Sequence, residues 1–121
     1  MGKLTFKKKE KLSGEKSIQE LFTKGSSFYL SPFKVITLSS NSSINRVLIS
    51  VPARIFKKAV DRNKIKRRIR EAYRINKEKL TSNKKLLIAY IYTAKVILPS
   101  TVIHEKLILI LAQINKGNEE N

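Results

Sequence analysis

Several residue types that build common functional sites are missing or scarce in this 121-residue chain. It has no cysteine, so it offers no disulfide, no thiolate nucleophile and no cysteine-ligated zinc site. A zinc site would have to combine His104, the only histidine, with carboxylates from nine acidic residues scattered along the sequence. The four glycines are too dispersed for a phosphate-cradling loop. The sequence therefore predicts no catalytic side-chain constellation and no metal site.

Long apolar runs are also missing. No stretch reaches the roughly 18 apolar residues of a membrane-spanning helix, and residues 1–11 are basic without the apolar core of a secretory signal. Met1-Gly2 is similar to the start of a myristoylation motif, but Phe6 stands where that motif requires Ser or Thr. These features predict a cytoplasmic protein with no membrane partner.

Positive charge is what the chain has in excess, with a formal net charge of +17. A domain that repels itself this strongly usually meets a polyanion, and nucleic acid is the first candidate. The alternative is a lysine-rich surface that only confers solubility, but many of the basic residues cluster in one segment. Because 41% of the residues are hydrophobic, we expect one folded domain over residues 1–121. A basic arm at 1–12, anchored by Leu4, Phe6 and Leu12, and a frayed tail at 117–121 flank its body.

Hydrophobic periodicity and turn residues predict six elements in the order α-β-β-α-β-α. The first helix follows the start signal Ser13-Gly14 and ends at Gly25. Residues 26–32 contain three serines and a proline, and we expect them to be irregular. The other elements are strands at 33–38 and 46–51, a long helix at 60–80, a strand at 86–92 and a last helix at 102–115.

These elements predict an α/β (α+β) two-layer sandwich, with helices packed on a small mixed sheet. The strands at 33–38 and 46–51 are separated by a short polar segment, and we expect them to form a hairpin. The near-continuous apolar run at 86–92 is typical of a strand covered on both faces. We expect it to be a parallel neighbour of the strand that precedes the long helix.

The long helix carries the densest charge of the chain. At about 100° per residue, four apolar residues fall on one arc that can face a core: Ile65, Ile69, Ala72 and Tyr73. Beside that arc runs a strip of five cations and one amide: Arg62, Asn63, Lys66, Arg67, Arg70 and Arg74. Arginine forks suit bidentate phosphate contacts, and the amide can bond a sugar or a base edge. A merely solvated helix face would interleave acids with bases, and we expect no such acids across this strip.

The chain resembles the bacterial ribonuclease P protein component family in the residues of this helix: Arg62-Asn63, Lys66-Arg67 and Arg70, preceded by Ala59-Val60. Other features are similar as well: the basic arm, the first helix that ends at a glycine, the strand just before the long helix, and the overall length. The resemblance implies a protein that binds a large catalytic RNA and, together with it, removes the 5′ leader of precursor tRNA. It also implies a left-handed crossover of two parallel strands through the long helix, an exception to the usual hand.

The same resemblance implies two binding surfaces. The strip on the long helix approaches the catalytic RNA, and a cleft between the first helix and the sheet holds the single-stranded leader. The candidates for the cleft are Phe22, Phe33, Ile36, Arg54 and Lys58. The Mg²⁺-dependent active site is expected in the RNA, with Mg²⁺ held mainly by RNA and substrate, so the protein is assigned no catalytic residue. Ribonuclease P RNA and precursor tRNA are the expected partners, with no obligatory protein partner.

Two other functions stay open on the residues alone. One is a general structured-RNA-binding or ribosomal-type protein without a processing role, and the other is a protein nuclease. A third, binding to a membrane surface, lacks an apolar stripe separate from the core.

Overall fold

The computed structural model of the chain describes residues 10–41, 43–81 and 84–119. Its elements follow the order α-β-β-β-α-β-α, one strand more than the sequence predicts. Their bounds are α1 Glu15–Lys24, β1 Ser26–Leu30, β2 Phe33–Ser40, β3 Arg46–Ser50, α2 Ala59–Asn76, β4 Lys85–Tyr92 and α3 Ser100–Glu119. No helix within these ranges is long and apolar enough to cross a membrane.

The additional strand, β1, shows that the prediction of an irregular segment at 26–32 is wrong. β1 pairs antiparallel with β2 along its whole length. Its serines occupy exposed positions, while Phe28 and Leu30 pack against the main core. The turn signal at Ser31-Pro32 therefore ends a strand and does not disrupt the residues before it.

The sheet has the strand order β1-β2-β4-β3. β3 and β4, which flank α2 in the chain, are parallel neighbours as predicted. The predicted hairpin of β2 and β3 is wrong, because β4 lies between them and pairs antiparallel with β2. β4 is buried on both faces from Leu86 to Tyr90, and such a strand gains most from a central position. The hand of the crossover through α2 stays a prediction from the resemblance.

The two faces of the sheet carry separate apolar clusters. Along β4, the even-numbered side chains from Leu86 to Tyr92 pack with α2 and α3, while Leu87 and Ala89 pack with α1. The sheet with α2 and α3 forms the two predicted layers. α1 adds a partial layer on the opposite face, anchored by the fully buried Leu21.

Both long helices differ from their predicted ends. α2 stops at Asn76 and continues as a 3₁₀ turn over Lys77–Lys79. α3 is helical through Glu119, so it extends beyond its predicted end at 115, and the frayed tail at 117–121 stays a prediction. Residues 120 and 121 lie outside the described ranges. The Asn115 side chain ties α3 to the turn after α2, since it accepts the Thr81 N–H at 2.8 Å.

The described part of the N-terminal arm is fixed to the domain. Leu12 is buried as predicted, and its N–H donates to the Val47 carbonyl at 2.8 Å. Lys77 Nζ donates to Glu10 Oε1 at 2.8 Å, with side chains only 16% and 10% exposed. The other predicted anchors, Leu4 and Phe6, lie outside the described residues.

We expect Lys77→Met to lower the free energy of unfolding by about 3 kcal/mol, because it removes one charge of a largely buried ion pair. Urea denaturation at neutral pH measures the loss. Lys24→Met is the matched control, since it breaks an exposed ion pair. Lys24 Nζ lies 3.8 Å from Glu20 Oε2, and the two side chains are 70% and 48% exposed. Such surface pairs contribute about 0–1 kcal/mol. Equal losses in the two variants would contradict a special role for the buried pair.

Candidate nucleic-acid interface

The segment between β3 and α2 is held by a buried ring and by an arginine. The chain turns after Pro52, whose carbonyl accepts the N–H of Phe56 at 3.1 Å. Phe56 is buried and packs against Tyr92, with the ring centroids 5.9 Å apart. Arg62 Nη1 donates to the carbonyl oxygens of Phe56 and Lys57 at 2.8 and 3.0 Å. Arg62, predicted as an RNA contact, therefore also supports the start of α2.

The predicted core arc of α2 is confirmed. Ile65, Ile69 and Ala72 are fully buried, and Tyr73 is 1% exposed. The ring of Tyr73 packs against that of Tyr90 in β4 at a centroid distance of 6.0 Å. This packing fixes the rotation of α2 about its axis, so its polar residues lie outside.

Four polar residues of α2 lie beside this arc, and we call them the α2 strip: Asn63, Lys66, Arg67 and Arg70. Lys66 is half-buried, and the other three are exposed. Among the described residues, none of the three cations has an ion-pair partner. The α2 strip therefore presents three uncompensated positive charges and one amide.

Two shallow grooves border the α2 strip. The groove toward the sheet edge is lined by these residues: Lys11, Val47, Leu48, Ile49, Asn63, Lys66 and Arg70. The outer groove is lined by these: Val60, Asn63, Lys64, Arg67 and Arg70. Asn63 and Arg70 border both grooves and so lie on the ridge between them. Lys11 and Lys64 add two cations that the sequence analysis did not single out.

Arg74, the last member of the predicted strip, is not free. Its guanidinium forms an ion pair with the Glu71 carboxylate, and the hydrogen bond from Arg74 holds the pKa of Glu71 below its ordinary value. The expectation that no acid interrupts the strip up to Arg74 is therefore wrong. The uncompensated positive charge ends at Arg70.

The two sides of α1 present different surfaces. Ser17 and Glu20 on one side of α1 line a polar groove with Arg46 and the end of β2. At about 100° per residue, Ile18 and Phe22 face the opposite side. Phe22 is 45% exposed there.

On the face of the sheet that packs against α1, one row of side chains runs across all four strands beside the helix. Register places Tyr29 opposite Lys34, Lys34 opposite Ile91 and Ile91 opposite Ser50. We define the α1–sheet cleft as the space between this row and the Phe22 side of α1. Arg54 is exposed in the loop that follows β3 at this end of the sheet, and Lys58 is exposed where that loop meets α2.

α1 approaches the sheet closely at Gly25. A Cβ there would lie 2.7 Å from Ile36 Cγ2 and 2.5 Å from the Leu21 carbonyl oxygen. Ile36 is on the predicted face but only 5% exposed, because the end of α1 covers it. Ile36 therefore closes the inner wall of the α1–sheet cleft and offers little surface to a ligand.

Phe33 does not line this cleft, and its assignment there is wrong. It is fully buried on the opposite face, in edge-to-face contact with Tyr90 and Tyr92 at centroid distances of 6.2 and 5.9 Å. Successive side chains of a strand alternate between faces, so Phe33 and Ile36 face opposite ways.

Two exposed residues of the cleft row, Tyr29 and Lys34, were missed by the sequence analysis. Tyr29 fell in the segment assigned as irregular. The alternation of Phe28 and Leu30 with Ser27 and Tyr29 was the signal that could have shown a strand with Tyr29 facing out.

Metal-binding chemistry is sparse in residues 10–41, 43–81 and 84–119. Their His, Asp and Glu side chains form no group of three or more that could hold a metal ion. The α2 strip offers cations and an amide of the kind that suits phosphates, and α1 with the sheet face beside it offers two exposed rings and an exposed lysine.

Comparison with protein families gives one match over most of the chain. The family model Ribonuclease P matches residues 6–115. The ribonuclease P protein component of Petrotoga mobilis is 42% identical over 73 residues, which cover 60% of this chain and 61% of that relative. That of Syntrophus aciditrophicus is 31% identical over 88 residues, covering 73% of each chain. The chain thus spans less than two thirds of the Petrotoga relative.

Solved structures share the fold. A Staphylococcus aureus RNase P protein, a mutant with defective mRNA degradation activity, is similar with a TM-score of 0.75 and 27% identity, covering 90% of both chains. The RNase P protein of Thermotoga maritima is similar with a TM-score of 0.74 and 28% identity, covering 86% of this chain and 96% of that one.

We expect Arg62→Ala to lower the free energy of unfolding by about 1–2 kcal/mol, because it removes charged hydrogen bonds to two carbonyl groups. Arg67→Ala, on an exposed position of the same helix, should change it by less than about 0.5 kcal/mol. Chemical denaturation of both variants measures the difference. If Arg62→Ala unfolds like wild type, its contacts to the loop do not stabilise the domain.

Proposed function

Because the chain belongs to the Ribonuclease P family, we propose that it is the protein component of a ribonuclease P and assists removal of the 5′ leader from precursor tRNA. One observation carries the proposal: the α2 strip holds three cations that have no ion-pair partner among the described residues, on a helix whose rotation is fixed. Such a surface suits the phosphates of a folded RNA.

The α2 strip is the proposed contact with the catalytic RNA. Arg67 and Arg70 offer planar forks that bind phosphate through two hydrogen bonds, and Lys66 adds a point charge. Asn63 can bond a 2′-hydroxyl or a base edge. Arg62 and Arg74 are secondary candidates, since each already bonds within the protein.

The α1–sheet cleft is the proposed site of the leader. An unpaired strand offers base faces and a charged backbone, so it suits an apolar surface beside cations. Phe22 supplies an exposed ring on α1, while Arg54 and Lys58 supply charge at the loop after β3. Ile36 supports the wall of the cleft.

We propose that the RNA catalyses the cleavage reaction. Hydrolysis of the bond between leader and tRNA would use Mg²⁺ held mainly by the RNA and substrate, as the family implies. The protein's residues bind and orient the two RNAs, and they reduce repulsion between their phosphates. The proposed location is the cytoplasm.

The family favours this function over a general RNA-binding or ribosomal-type role, and a reconstituted reaction separates all the alternatives. We expect the protein with its matching ribonuclease P RNA to release the leader of precursor tRNA at low Mg²⁺, where either component alone gives little product. Electrophoresis of 5′-labelled precursor measures the release. Cleavage by the protein alone would indicate a protein nuclease, and binding without faster release would indicate a general RNA-binding protein.

The α2 strip can be tested by salt dependence. Arg67→Gln should weaken binding to ribonuclease P RNA and reduce the slope of log K against log salt by about one, because one phosphate contact is lost. Lys116→Gln is the matched control, with the same charge change at an exposed position of α3. Equal effects of the two variants would mean that only net charge matters and that the strip is no specific contact.

A further inference from the structure

The two exposed aromatic rings among the described residues both belong to the α1–sheet cleft. Phe22 lies on α1, and Tyr29, which is 65% exposed, lies on β1. The neighbours of Tyr29 in β1, Phe28 and Leu30, pack against the core on the other face. β1 therefore directs a large ring out of the sheet, and packing among the described residues leaves most of that ring exposed.

The Tyr29 ring is exposed, yet its end is tethered. Its hydroxyl lies 3.3 Å from Thr93 Oγ1, beyond β2, so the side chain extends across the start of β2 toward the end of β4. Thr93 is itself anchored, because its N–H and hydroxyl donate to the Pro32 carbonyl at 2.7 and 2.9 Å. Side-chain hydrogen bonds with Thr93 and Ser31 hold the pKa of the Tyr29 hydroxyl below its ordinary value. A tethered ring loses less conformational entropy when a ligand stacks on it.

A cation lies beside this ring. Lys34 is the cross-strand partner of Tyr29 on the same face and is exposed. Directly opposed residues of an antiparallel pair have Cβ atoms about 5 Å apart. Ile91 follows Lys34 in the same row and is half-buried, so Lys34 lies between the ring and an apolar side chain toward β3.

We propose that Tyr29 is a stacking platform for one unpaired base of RNA, and that Lys34 binds the phosphate next to that base. The inference rests on the proposed function, which places the single-stranded leader of precursor tRNA in this cleft. Tyr29 then adds a contact at the outer end of the cleft, beyond Phe22. A stacking contact accepts any base, because every base has an aromatic face.

The affinity of the complex of protein and ribonuclease P RNA for precursor tRNA tests this assignment. Tyr29→Ala should weaken binding of a substrate with a full leader by about 5- to 100-fold, the usual effect of losing one base–aromatic stack. Tyr29→Phe keeps the ring and loses only the hydroxyl tether, so it should weaken binding much less than Tyr29→Ala does. Leu109→Ala, at a 52% exposed position on α3, is the control for loss of exposed apolar surface.

Three readouts distinguish stacking from other causes. Binding of mature tRNA without a leader, and of ribonuclease P RNA alone, should be the same for Tyr29→Ala and wild type. Leader bases can be replaced one at a time by abasic sites. At one leader position, this replacement should weaken substrate binding by the wild-type complex but leave binding by the Tyr29→Ala complex unchanged. Lys34→Met should reduce the salt slope by about one, while Tyr29→Ala leaves it unchanged.

The outcomes separate this inference from the proposed function. If the wild-type complex releases the leader but Tyr29→Ala binds the full-leader substrate as tightly as wild type, the stacking platform is wrong and the function stands. A loss of affinity for ribonuclease P RNA in Tyr29→Ala would also overturn it. If the wild-type protein does not promote leader release, the proposed function itself fails. Should Tyr29→Ala not fold, Tyr29→Leu keeps apolar bulk without a π face and is expected to show the same loss.

Discussion

The packing of one arc of α2 on the sheet determines where the charges of that helix lie. Ile65 and Ile69 are fully buried in the same cluster as Ile88 and Tyr90 of β4. Rotating the helix by one residue would bring arginine or lysine into that cluster, and burying an unpaired cation costs several kcal/mol. The core contact and the charge pattern therefore specify the same rotation, and the α2 strip is held outward by the stability of the fold.

Hydrogen bonds and ion pairs within the protein then determine which cations of α2 remain available to bind a ligand. Arg62 bonds to the loop before α2, and Arg74 pairs with Glu71. Lys66, Arg67 and Arg70 have no ion-pair partner among the described residues. In a domain with a net charge of +17, like charges held close together raise the free energy of the isolated protein, and a polyanion relieves that repulsion. The same geometry that concentrates charge thus favours association with a polyanion, which is the basis of the proposed contact with RNA.

The sequence predicted an element correctly where several local features, such as hydrophobic periodicity and the distribution of charge, indicated the same structure. The prediction of the apolar arc of α2 was correct because helical periodicity and the segregation of charged residues indicate the same orientation of the helix. β1 was missed because serine and proline outweighed an alternation only five residues long. The order of the sheet depends on long-range pairing, so adjacency of β2 and β3 in the chain did not make them neighbours. One error was avoidable: Phe33 and Ile36 differ by an odd number of residues in one strand, so their side chains face opposite ways.

The central claim is that two surfaces of this domain hold two different RNAs at once. Photo-cross-linking from single sites in the assembled complex tests it most directly, with the reactive group placed at position 67 on the α2 strip or at position 54 in the loop after β3. The account predicts that position 67 labels ribonuclease P RNA and that position 54 labels the leader of precursor tRNA. Labelling of the leader from position 67, or of ribonuclease P RNA alone from both positions, would contradict it.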